Sequence, residues 1–168
     1  MALWRNGDFA ENAWTTLADD AAIPANGAIL VSLDRWRNER NNLSTRTAPV
    51  GVVVTAGKDA LEHLKEVADR PMAALRFDKF GDGRAFSYAI LLRQRFGFAG
   101  ELRAMGDVLL DEIPLMIRCG FTSFDIVNQP TIRALEEGRL PKFPLAYQPG
   151  LSAHEQPTGT RPWARRWG

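Results

Sequence analysis

Asp78–Val127, DKFGDGRAFSYAILLRQRFGFAGELRAMGDVLLDEIPLMIRCGFTSFDIV, decides how this chain is read. It passes twice from a strand-like run into a helix-like run, and each passage carries charge. Ala85–Phe96 has helical spacing, Gly100–Ala104 is a short strand, Val108–Arg118 is an amphipathic helix despite Pro114, and Phe121–Val127 is a further strand. Outward from there the alternation continues. Met72–Phe77 and Val50–Val54 are apolar runs without period-two alternation, as in strands buried on both faces. Lys58–Asp69 lies between them with Leu61, Leu64 and Val67 at helical spacing, and Pro130–Glu137 is a last helix.

Upstream, Ala28–Leu33 is an apolar strand, with Asp34 as a candidate N-cap for a charged helix from Arg35 to about Asn41, and residues 41–49 read as a loop. Asn6-Gly7, between Trp4-Arg5 and Asp8-Phe9, has the chemistry of a two-residue hairpin turn. The expected fold is α/β. About five mostly parallel strands alternate with helices that cover both faces, after a short N-terminal hairpin. A flavodoxin-like open sheet is the first expectation and an incomplete β/α barrel the second. Residues 1–149 form one domain; 150–168 form a tail whose Pro157, Pro162, Arg161, Trp163, Arg165, Arg166 and Trp167 break regular patterning.

Composition excludes several functions. The chain has 168 residues, 45% hydrophobic and 24% charged, with a formal net charge of +1. That is enough for one core and too near neutrality for a global field favouring nucleic acid or a membrane surface. A single cysteine, Cys119, rules out an internal disulfide and a four-thiolate iron–sulfur cluster. His63 and His154 lack zinc-ligand spacing, and neither GxGxxG nor GxxxxGK[ST] occurs. No cofactor is therefore expected, with flavin binding by a less regular loop left open. No apolar N-terminal run suggests a leader or a membrane span, so the expected location is the cytoplasm.

In a parallel α/β sheet the strand C-terminal ends share one edge, where ligands bind. The passages deliver Asp78, Asp82, Gly83 and Arg84 there, then Arg103, Gly106 and Asp107, and finally Asn128. Ser87 lies in the first turn after Arg84. Backbone N–H groups at helix starts, glycines that admit a close approach and two forked guanidinium groups suit an oxyanion. The competing reading makes Asp82 and Asp107 simple N-caps and pairs the arginines with carboxylates. Cys119 reads as a buried structural thiol, His63 as a solvated side chain and Glu101 as structural.

The DGR-x-x-S, GELRA-x-GDVL and RCGF elements, at Asp82–Ser87, Gly100–Leu109 and Arg118–Phe121, resemble the signature of a bacterial family called domain of unknown function 934. The WRNGDF opening and Ala146–Gln148 fit the same resemblance; the tail beyond Pro149 is outside it, and Glu112 stands where many members carry Gln. Such proteins are typically encoded beside assimilatory sulfite reductase and are sometimes described as oxidoreductases of sulfite reduction. The resemblance implies a part in making sulfide for cysteine and brings no catalytic residues with it. Two functions are weighed. The preferred one is an accessory protein that docks to sulfite reductase or its electron donor, with a homo-oligomer left open. The alternative is a small oxidoreductase or other enzyme that takes an anionic substrate or flavin-type cofactor at the strand-end crevice.

Overall fold

Eight strands form one sheet, in the order β2-β1-β8-β7-β6-β5-β4-β3. The computed structural model describes residues 2–78 and 83–142, apart from the side chains of residues 58 and 59. Asp82 and the tail at 150–168 thus lie outside the described residues. The strands are β1 (Ala2–Arg5), β2 (Asp8–Ala10), β3 (Trp14–Thr16), β4 (Ala28–Ser32), β5 (Val50–Thr55), β6 (Met72–Phe77), β7 (Glu101–Gly106) and β8 (Ser123–Ile126). The helices are α1 (Leu33–Asn38), α2 (Arg40–Ser44), α3 (Lys58–His63), α4 (Arg84–Gln94), α5 (Ile113–Arg118) and α6 (Gln129–Glu136).

The fold is mixed α/β, but with eight strands rather than about five. The hairpin is where the turn chemistry puts it: Asn6 and Gly7 both take positive φ (55° and 95°), and β1 pairs antiparallel with β2 and β8. All pairings from β3 to β8 are parallel and strictly sequential. A flavodoxin-like sheet reverses its strand order at a switch point; this sheet has no reversal. Its connectivity is that of a β/α barrel left open, and the sheet is curled.

Sequential order also decides where the helices go. Right-handed crossovers that all advance in one direction must pass over the same face of the sheet. Trp36, Leu43, Leu64, Tyr88, Leu92, Met116, Ile132 and Leu135 accordingly form one core with Ile29, Val31, Val52, Leu75, Ala104 and Phe124. The expectation of helices on both faces fails here. On the opposite, inner face Leu30, Val53, Met72, Ala74 and Met105 form a second, smaller cluster with Trp14, to which no described helix contributes.

Several boundaries shift for local reasons. Ser32, not Asp34, caps α1: its Oγ accepts from the Arg35 N–H at 3.0 Å. Arg40–Ser44, expected as loop, is the short helix α2. Pro114 sits in the first turn of α5, where a missing N–H costs nothing, so the helix begins at Ile113 instead of running from Val108. β7 continues past Ala104 to Gly106, whose φ of 95° ends it. Three arginines fasten loops by donating to backbone carbonyls: Arg35 to Ala18 and Ala21, Arg46 to Pro24 and Gly27, and Arg93 to Phe98, Gly100 and Gly120.

Candidate functional site at the C-terminal ends of β6, β7 and β8

Side chains alternate along a strand, so the inner face of β7 receives Glu101, Arg103 and Met105, while Leu102 and Ala104 enter the helical core. On β8 the inner-face residues are Ser123 and Asp125. Cross-strand register then lines up two rows. Arg103 stands opposite Ser123, and one step toward the C-terminal edge Arg76, Met105 and Asp125 fall into register across β6, β7 and β8.

The first row is closed. Arg103 is 1% exposed; its Nε donates to Glu101 Oε1 at 3.1 Å and Ser123 Oγ at 3.3 Å. Its Nη2 donates to Glu101 Oε1 at 2.7 Å, and Nη1 reaches Asn12 Oδ1 at 2.9 Å. Ser123 donates to Glu101 at 2.6 Å, and Arg5 lies 3.6 Å from the other Glu101 oxygen. Arg103 was expected at a strand end, on an oxyanion. It lies within β7 instead, because the strand is longer than its apolar run, and each of its three guanidinium nitrogens donates to a protein acceptor.

The second row opens on a cavity of about 300 Å³, lined by Arg76, Phe77, Asp78, Met105, Gly106, Asp107, Asp125 and Val127. Asp78, Gly106 and Asp107 are thus brought together at the C-terminal edge, as their spacing implies. Asp107 caps no helix, since α5 starts six residues later; its N–H donates to the Phe77 carbonyl at 3.0 Å. Gly106 is explained by its backbone alone: with positive φ, an added Cβ would collide with the Phe77 carbonyl oxygen.

Other candidates go elsewhere. Arg84 opens α4 as an exposed residue, Gly83 is the N-cap of that helix, and Ser87 is exposed on it; none of the three lines the cavity. Asn128 is the N-cap of α6, its side chain accepting from the Thr131 N–H at 3.0 Å. A second cavity of about 270 Å³ at the ends of β4 and β5 includes Ser32, Asp34, Arg37, Thr55 and His63. Ser32 and His63 are engaged there, by Asp19 at 2.6 Å and by Glu66 at 2.8 Å. Cys119 is a buried thiol, and burial pushes its pKa up, the opposite of an activated nucleophile.

The sequence reading missed Arg76 and Asp125. Each is the one charged residue in an otherwise uncharged strand, MAALRF and SFDI, and that contrast is the signal that could have found them. Asp125 is 3% exposed, and its Oδ1 is buried with no hydrogen-bond partner. Burial raises its pKa, against the pull of Arg103. Glu112, nearby in sequence, is also raised, by burial and by the charges of Asp111 and Asp107. Among the described residues, the cavity is lined by three carboxyl groups and one guanidinium, a negative balance when all are ionised. Among the described residues no group of three or more His, Cys, Asp or Glu is placed to hold a metal ion.

The family described as "Bacterial protein of unknown function (DUF934)" matches residues 51–158. This chain belongs to that family. The DUF934 match takes in β5 from its second residue and all of β6, β7 and β8, and with them the cavity. It begins after the WRNGDF opening and runs past Pro149 into the tail, which the sequence reading had left outside the signature. No curated protein and no solved structure matches significantly.

Proposed function

We propose that this DUF934 protein is an accessory component of assimilatory sulfite reduction, serving sulfate assimilation and cysteine biosynthesis in the cytoplasm by docking to sulfite reductase or its electron donor. Family membership supports this reading, since proteins with this signature are typically encoded beside the reductase. No described helix is long and apolar enough to cross a membrane. A deletion strain should grow poorly on sulfate and normally on cysteine, and the tagged protein should retain sulfite reductase or its donor on an affinity column. Equal growth on both sulfur sources would sink the proposal.

The enzyme alternative has an observation of its own, the buried Asp125 Oδ1 that has no hydrogen-bond partner, on a residue lining the C-terminal-edge cavity. Buried polar atoms in folded proteins nearly always find partners, so an orphan lining a cavity favours a ligand that supplies one. The acidic balance of the cavity weighs against an oxyanion as that ligand. A flavin absorbance band in the purified protein would favour the oxidoreductase over the accessory role.

A further inference from the structure

Arg76, Met105 and Asp125 form a row across three adjacent strands, each in register with the next. Strands lie about 4.8 Å apart, so the Arg76 and Asp125 backbones are about 10 Å apart with the Met105 side chain between them. A guanidinium and a carboxyl group thus flank an apolar floor. No hydrogen bond or ion pair joins Arg76 to any of the described residues, although its side chain lines the same cavity as three carboxyl groups. Asp78 and Asp107 stand at the strand ends beside it.

The electrostatics narrow the occupant. Among the described residues, a simple oxyanion would meet one cation and three acidic groups, and a simple cation would leave the guanidinium opposing it. A ligand with both charges satisfies both sides, and the volume of about 300 Å³ is at the small end of ligand cavities.

We propose that this cavity binds a small zwitterion of amino-acid type, its ammonium group donating to Asp125 with support from Asp78 and Asp107, its carboxylate held by the Arg76 fork and its carbon skeleton resting on Met105. The site is argued from the cavity alone, so it stands or falls apart from the accessory role. It gives the buried Asp125 oxygen a donor and the Arg76 guanidinium an acceptor in one step.

Calorimetry on the purified full chain tests this without any partner protein. Two isomeric probes carry both charges, norleucine with adjacent charges and ε-aminocaproate with separated ones. Pentylamine and hexanoate carry one charge each on a similar skeleton, and sulfite is the inorganic anion. At least one zwitterion should bind about tenfold or more tightly than all three single-charge probes. Arg76→Ala and Asp125→Asn should each weaken zwitterion binding by about tenfold or more. Hexanoate or sulfite binding as tightly as the zwitterions would make this an anion site and overturn the proposal. Pentylamine binding equally well, either variant binding like the wild type, or neither zwitterion binding by about 10 mM would overturn it too. Should Asp125→Asn fail to fold, Arg76→Ala decides with the same probes, because Arg76 is exposed and outside the core. Loss of the growth phenotype or of reductase capture would leave these binding results untouched.

Discussion

Arg103 and Asp125 are both buried, both charged in water, and separated by one step along the same face of adjacent strands, yet their surroundings differ in kind. Arg103 has acceptors from Glu101, Ser123 and Asn12, drawn from β7, β8 and the segment before β3. Asp125 has an oxygen with none. A buried charge with all three guanidinium nitrogens engaged is part of the scaffold, because an incoming ligand would have to compete with bonds already made. A buried acid with an orphaned oxygen at a cavity wall costs stability that a ligand can return. The inner face is thus divided along the strand direction, its N-terminal half closed by protein and its C-terminal half left open to a guest.

The largest effect should come from breaking the closed half. Glu101→Ala strands the Arg103 guanidinium in the interior and should cost about 3–5 kcal/mol in urea or thermal unfolding. Replacing Glu101 and Arg103 together by methionine should cost far less, since it removes the charge along with its partner. If the single and double variants were equally unstable, packing rather than charge pairing would hold that half, and the contrast with Asp125 would collapse.

A smaller effect of opposite sign should follow at Asp125. Its folded pKa is raised, so the folded state holds the proton at pH values where the unfolded chain has released it. Stability is then greatest below the ordinary carboxylate range and falls as pH rises through the raised folded value. Asp125→Asn should remove that fall, leaving the variant about 1 kcal/mol more stable than wild type at neutral pH and no more stable near pH 4. Parallel stability curves for the two proteins across this range would show that Asp125 is solvated after all. Smallest of all, Arg76→Ala should shift stability by less than about 0.5 kcal/mol, since the side chain is exposed and holds no described partner. A larger loss would mean that the open half, too, is scaffold.

The legibility of this chain follows the same physics. β5 and β6 could be read as continuous apolar runs because buried parallel strands need them, and the hairpin because Asn6-Gly7 permits positive φ at little cost. β3 could not: three residues with two threonines carry no pattern, and only pairing with β4 makes them a strand. Flavodoxin-like and barrel-like sheets share one βα alternation, and strand order depends on crossovers that no local window encodes. At the site, Asp78 and Asp107 were legible as charges placed after strands. Arg103 was misplaced because its strand outlasts the apolar run, stopping only where Gly106 turns. Asp125 escaped because a lone acid within a strand gives no sign of which face it takes until the register with Met105 is known.

The strand order has a consequence for how the chain comes into being. From β3 to β8 each strand docks beside the one made just before it, so the parallel sheet can grow in step with synthesis, one crossover at a time. The hairpin is the exception. Ala2–Arg5 leave the ribosome before the parallel strands do, but their partner on the main sheet is Ser123–Ile126, more than a hundred residues downstream. The hairpin is therefore made before the parallel strands and seated only after the last of them, and its pairing edge stays exposed until β8 is made. A chain that stalls before residue 123 would present that hairpin as a ready partner for strands of its neighbours, and this is where chaperone binding or co-translational aggregation would concentrate.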